Sequence, residues 1–206
     1  MERRRYPVDT QTFSNIVEGN YIYVDKTDLV YKMVKDYRYV FLSRPRRFGK
    51  SLLCSTLKEY FEGNKEMFAG LQMAELEKDW VKYPVIHLDF SDFKSDNIDD
   101  LKDVVNNSLR IIEEKYSVEQ KASSFSARLQ NIVFKANESY GQKAVIIIDE
   151  YDAPMLNTID NDSLQNQVRT IMNDLFSSLK KLDSYLRFVF ITGITKFSQM
   201  SIFSAL

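Results

Sequence analysis

The chain has 206 residues, 44% hydrophobic, 28% charged and 13% aromatic, a globular composition that excludes a disordered, collagen-like or rod-like chain. Lysine plus arginine (28) and aspartate plus glutamate (29) nearly cancel, leaving a formal charge of −1, so no global field draws the chain to nucleic acid or acidic lipid. A single cysteine, Cys54, and a single histidine, His87, exclude an internal disulfide, a Cys/His zinc site and a histidine-based triad. The basic start leads into no signal-peptide core, and no apolar run approaches the roughly 20 residues of a bilayer span. These features read as a cytoplasmic protein in a reducing compartment, with no membrane partner.

Tyr21 to Val24 is aromatic and β-branched and predicts a short strand, after which Thr27 or Asp28 caps a helix carrying Leu29, Val30 and Met33. This strand-helix preface covers residues 1–37. Tyr39-Val40-Phe41-Leu42 predicts the first core strand, followed by a polar loop from Ser43 to Phe48 and a helix opening at Gly49-Lys50-Ser51. That helix places Leu52, Leu53, Leu57, Tyr60 and Phe61 on one face and stops at Gly63. Residues 64–83 carry no clear period.

Val85 to Phe90 predicts a second strand, and Ile98, Leu101, Val105, Leu109 and Ile112 mark a long helix beginning near Asp96. A further helix carries Phe125, Leu129, Ile132, Val133 and Ala136 and ends before Gly141. Ala144 to Ile148 is continuously apolar, the pattern of a parallel strand buried on both faces, and it ends at Asp149-Glu150. After Pro154 a helix with Leu164, Val168, Ile171, Met172, Leu175 and Leu179 leads to a last strand, Leu186 to Thr192. Strands separated by helices require right-handed crossovers and give an α/β layered, mostly parallel sheet, with the ligand site at the carboxyl ends of its strands.

Those strand ends hold all the candidate chemistry. Arg44-Pro45-Arg46-Arg47-Phe48-Gly49-Lys50-Ser51 fits the second half of a phosphate cradle, with Arg44 where a first glycine is usual. Gly49 permits the turn, Lys50 carries an ammonium for the β and γ phosphates, and Ser51 offers a hydroxyl to a magnesium ion. Arg46 and Arg47 add positive charge, while Pro45 removes one amide donor. The alternative is a common tripeptide on a solvated basic loop.

Four aliphatics ending in Asp149-Glu150 supply what such a loop requires: Asp149 for the metal and Glu150 to polarise an attacking water. Thr192, Thr195 and Lys196 follow Phe188 to Ile191 of the last strand; Thr192 is a candidate donor to that water and Lys196 a candidate charge on the γ-phosphate, against the alternative of a capped strand end. His87 reads as a core residue and Cys54 as packing.

YVDKT (Tyr23 to Thr27), FLSRPRRFGKSLL (Phe41 to Leu53), YFEG (Tyr60 to Gly63), YPVIHLDFS (Tyr83 to Ser91), IIIDEYDAP (Ile146 to Pro154) and FITGITKFSQMSIFS (Phe190 to Ser204) together carry a resemblance. The chain resembles the AAA-ATPase-like domain that prokaryotic proteins often carry ahead of a PD-(D/E)XK nuclease-like domain. The resemblance covers essentially the whole chain, and in that family the arginine at Arg44 is the rule. It implies a three-layer P-loop NTPase core of the ASCE type, over residues 1–206, with the sensor strand between the strands of the two motifs.

It further implies ATP and Mg2+ as cofactors. The nucleotide would be bound by Arg46, Arg47, Phe48, Gly49, Lys50, Ser51 and Leu52, the metal by Ser51 and Asp149, and catalysis would fall to Glu150, Lys50, Thr192 and Lys196. By analogy with related ATPases, Asp25 and Lys26 lie near the nucleotide, while Tyr23 is equally readable as a core aromatic. The end at Leu206 reads as truncation before the last core strand, the lid and the nuclease-like domain, which predicts weak hydrolysis and an apolar sheet edge favouring a homo-oligomer or a covering element.

Two functions follow. The leading one is a magnesium-dependent ATPase switch acting on an attached nuclease-like effector or a partner. The rival is a degenerate P-loop module that binds protein or nucleic acid without catalysis. Nucleic-acid contact would use Arg3, Arg4, Arg5, Arg46 and Arg47, or lie in a further C-terminal domain.

Overall fold

The computed structural model describes residues 4–8, 10–93 and 97–195. In chain order these form α1 (Phe13–Glu18), α2 (Thr27–Asp36), β1 (Tyr39–Ser43), α3 (Lys50–Phe61), a 3-10 turn (Lys65–Phe68), α4 (Gln72–Leu76) and β2 (Val85–Asp89). They continue with α5 (Ile98–Lys115), α6 (Phe125–Tyr140), β3 (Ala144–Asp149), α7 (Ala153–Leu156), α8 (Asp162–Phe176), a second 3-10 turn (Asp183–Tyr185) and β4 (Leu186–Gly193). The strands form one sheet in the order β1-β4-β3-β2, and every pair is parallel. The fold is α/β, as expected, and β4 lies between β1 and β3.

Side chains alternate across the sheet and split the interior in two. Ile146, Ile148, Val189 and Ile191 point to the layer of α5, α6 and α8, whereas Val145, Ile147, Phe188 and Phe190 point to that of α2, α3 and α4. β3 is buried along its whole length, which is why it reads as an unbroken aliphatic run. The alternation slips once in β4: Leu186 and Val189 share a face, because the register with β3 shifts between Ala144 and Val145. β1 forms one edge among the described strands, β2 the other, and all five residues of β1 are only partly buried.

The helices follow their apolar periods. Leu129, Ile132, Val133 and Ala136 line the buried face of α6, and Leu101, Val105, Leu109 and Ile112 that of α5. Asn97, Ser124 and Asn161 cap α5, α6 and α8 by accepting from the amides of Asp99, Ala127 and Leu164. α3 ends in a Schellman turn: the amides of Gly63 and Asn64 bond the carbonyls of Tyr60 and Glu59, with Gly63 at φ +75°. None of the described helices is long and apolar enough to cross a membrane.

The structure corrects the preface. Tyr21–Val24 is not a strand; among the described residues this stretch has one backbone tie to a distant segment, Ile22 N to Arg5 O at 2.8 Å, and no ladder partner. The ordered element upstream is α1, whose buried Phe13 and Ile16 are too few to show a period. α2 buries Thr27, Val30 and Val34, while Leu29 is exposed, so its inward face is rotated from the one expected. α5 starts at Ile98; Asp96 lies outside the described residues. Pro154 sits in the first turn of the short α7, and the long helix begins only at Asp162.

Between α5 and α6 lies a buried ion pair. The Arg128 guanidinium donates to both carboxylate oxygens of Glu113 at 2.8 Å and to Asn106 Oδ1 at 2.6 Å. Removing one partner strands the other's charge, so Arg128→Ala is expected to lose about 3–5 kcal/mol, whereas Arg128→Met with Glu113→Leu loses much less. Urea denaturation of both variants measures this, and equal losses would contradict it.

Candidate functional site

The sheet order sets the place of the site. Because β4 is inserted beside β1, the chain leaves β1 toward the far edge and returns through β3, and the crevice at the strands' carboxyl ends lies at this switch in direction. The loop after β1, the turn after β3 and the exit of β4 all meet there.

The loop from Arg44 to Gly49 is tied to β4 at its base. Arg44 N donates to Gly193 O at 3.1 Å and Ser43 Oγ to Ile194 O at 3.0 Å. Arg47 (φ +67°) and Gly49 (φ +74°) are both left-handed, a backbone form that turns neighbouring N–H groups toward one side and suits an anion. Gly49 has open space where a Cβ would stand, so glycine is favoured there by backbone conformation and not by crowding. The loop side chains Arg46, Arg47 and Phe48 are exposed, while Lys50 at the head of α3 is 4% exposed and donates from Nζ to Pro45 O at 3.3 Å. Ser51, the next residue of α3, is partly buried.

Across from α3, Asp149 is 2% exposed. Its Oδ1 accepts from the Thr192 hydroxyl and from Glu150 N, and Glu150 N also lies 3.1 Å from Thr192 Oγ1. Cys54, one turn below Lys50, faces this carboxylate; burial first, then the charges of Asp149 and Asp89, push its thiol pKa up and keep it protonated. Glu150 is left-handed at φ +48°, unusual for a residue with a side chain. Burial and then the Asp149 charge raise its pKa, while Lys50 and Arg46 oppose the rise, so the loop cations and the acid pair share one electrostatic neighbourhood.

Of the expected residues, the structure thus brings together Arg46, Lys50, Asp149, Glu150 and Thr192. The Thr192 hydroxyl is committed to Asp149. Lys196 and Arg3 lie outside the described residues. Beside the loop, Tyr23, Val24, Leu29, Met33, Phe48 and Leu52 line an apolar pocket of about 370 Å³ that also includes Lys26 and Gly49. Leu52 and Leu53 accordingly face this pocket and are only partly buried, not sealed in the core as their spacing suggested.

Asp25, between the pocket residues Val24 and Lys26, is bonded elsewhere. It accepts from Thr27 N, Thr27 Oγ1 and Gln72 N, tying α2 to α4; burial acts to raise its pKa, but these bonds outweigh it and hold the value down. His87 on β2 is partly buried with no hydrogen-bond partner at Nε2 among the described residues, and burial lowers its pKa. Two contacts were not legible in the pattern: Cys54 against Asp149, and Asp152, whose carboxylate bonds the segment after β4.

This fold and strand-end constellation define a P-loop NTPase-like α/β protein. A family model described as AAA-ATPase_like, Predicted AAA-ATPase, matches residues 7–203, and the chain belongs to that family. It is 35% identical over 208 residues to a protein of Azotobacter chroococcum mcd 1 named "Uncharacterized protein in vnfD 5'region", covering all of this chain but 40% of that relative. No solved structure matches. Membership implies nucleotide binding at the level of the family.

The raised value at Glu150 has a measurable consequence. The folded state holds this proton more tightly than the unfolded chain does, so the ionised carboxylate opposes folding increasingly as pH rises from the ordinary 4.5 through the raised value. Glu150→Gln is therefore expected to melt above the wild type at neutral pH, with the gap closing at acidic pH. Thermal denaturation across that range checks it; a gap that widens in acid would contradict the environment described.

Proposed function

We propose that the chain binds a nucleoside triphosphate with Mg2+ and hydrolyses it, working as a switch on an attached effector or partner. The observation that carries this reading is the buried Lys50 at the head of α3, in the same electrostatic neighbourhood as a Glu150 that adjoins the buried Asp149. The amides around Gly49, the α3 N-terminus and Lys50 would cradle the phosphates, as a Walker A loop does. Lys50 would exchange its bond to Pro45 O for phosphate oxygens.

Ser51 and Asp149 are hard oxygen donors of the kind Mg2+ prefers, and would hold it as a Walker B acid and its partner hydroxyl do. Among the described residues no cluster of three or more acids, cysteines and histidines could hold a metal unaided, which suits an ion that completes its shell with phosphate and water. The bound metal would neutralise charge developing on the phosphate oxygens. Glu150, with its basicity increased by burial, would accept the proton of the attacking water, and Thr192 would keep Asp149 oriented through its hydroxyl.

The apolar pocket beside Gly49 suits the base, with Tyr23, Leu29 and Phe48 offering faces and Lys26 at the rim. Family membership favours ATP, and the resemblance to chains that carry a nuclease-like domain points to such an effector.

Two substitutions separate the steps. Lys50→Ala is expected to weaken triphosphate binding about 100-fold, and Glu150→Gln to keep affinity while lowering kcat about 10²–10⁴-fold. Calorimetric titration and phosphate-release kinetics measure both. Unchanged affinity in Lys50→Ala would overturn the reading, and full turnover in Glu150→Gln would remove Glu150 from its role.

A further inference from the structure

We propose that Asp152 is a positioning residue for this site: its carboxylate locks the exit of β4 onto the turn that carries Asp149 and Glu150, and thereby holds Thr192 against both. The proposal rests on the hydrolytic reading above. Asp152 occupies the N-cap position of α7, where a carboxylate ordinarily bonds the amides of its own helix, yet it makes no such bond. Instead its Oδ2 accepts three bonds from the segment after β4: Ile194 N at 2.8 Å, Thr195 N at 2.7 Å and Thr195 Oγ1 at 2.9 Å. The residue is 1% exposed and all three donors are neutral. A buried carboxylate bonded in this way resists displacement, because moving any donor leaves charge unsatisfied.

The surrounding contacts tighten the lock. Tyr151 N donates to Thr192 O at 3.0 Å, from the turn to the strand. A Cβ at Gly193 would come within 2.7 Å of the Tyr151 ring and 2.9 Å of Asp152 Oδ1, so turn and strand exit approach more closely than any side chain at 193 permits. Thr192, immediately before that glycine, is the residue bonded to both Asp149 and Glu150 N. The left-handed Glu150 backbone is one that relaxes unless neighbours fix it, and Asp152 supplies that constraint from the far side of the turn.

The test compares Asp152→Ala, Asp152→Asn and Gly193→Ala with wild type in three readouts: amide exchange at Ile194 and Thr195, triphosphate Kd, and kcat. Asp152→Ala is expected to speed exchange at both amides and lower kcat about 10-fold or more, with Kd within about 3-fold, because Lys50 is held within its own loop at Pro45 O and Asp152 reaches that loop only indirectly, through the segment after β4. Asp152→Asn keeps an acceptor of the same shape and recovers part of the turnover, while Gly193→Ala forces the two segments apart and reproduces the loss.

Lost protection with unchanged kcat overturns the proposal, as do parallel losses in kcat and affinity, which a purely structural role would cause. If Asp152→Ala does not fold, the kcat-to-Kd comparison in Asp152→Asn decides. A wild-type chain that binds no triphosphate overturns the hydrolytic reading, and the positioning role with it. That failure shows in the wild type, whereas failure of the proposal alone shows only in the variants.

Discussion

The arrangement depends on how one buried charge is accommodated. Asp149 ends the most deeply buried strand and is itself 2% exposed, a position in which an unpaired carboxylate would cost far more than a surface one. It is tolerated because β4 brings the Thr192 hydroxyl alongside, and because the chain turns sharply enough at Glu150 to present its own amide. The first of these requires β4 next to β3. The central place of β4 is thus a requirement of the site as well as of the core.

A consequence is that the acid pair is asymmetric. Asp149 is enclosed and bonded, whereas Glu150 is partly exposed, left-handed and next to a like charge, with basic groups of the loop opposing the rise in its pKa. Adjacent carboxylates in such different surroundings are suited to different tasks, one to a fixed ligand role and one to proton transfer. Two of the five left-handed non-glycine residues among those described, Arg47 and Glu150, lie on facing segments of this region.

The sequence revealed much of the sheet and helix layout because strong periods generated it: unbroken aliphatics in β3, one-face spacing in α5 and α6, and glycines after α3 and α6. The grouping of Lys50 with Asp149 and Glu150 was legible for the same reason, since both motifs end parallel strands. What failed was short or dependent on distant partners. α1 buries two residues, too few for a period, and Tyr21–Val24 has strand-like residues but, among the described residues, no strand to pair with. Cys54 and Asp152 act through contacts with residues far along the chain, and neither identity nor spacing encodes such a contact. Asp25, which analogy places near the nucleotide, ties two helices together through bonds that the sequence pattern does not show.

The strand order also governs assembly of the chain. Of the described strands β1 is made first and β4 last, yet β1 pairs with β4 alone among them. During synthesis β2 and β3 can zip together while β1 waits, its apolar face and ladder groups open, until the ribosome has released residues beyond Gly193. Such long-range closure slows folding and leaves an edge vulnerable to mispairing in the interval.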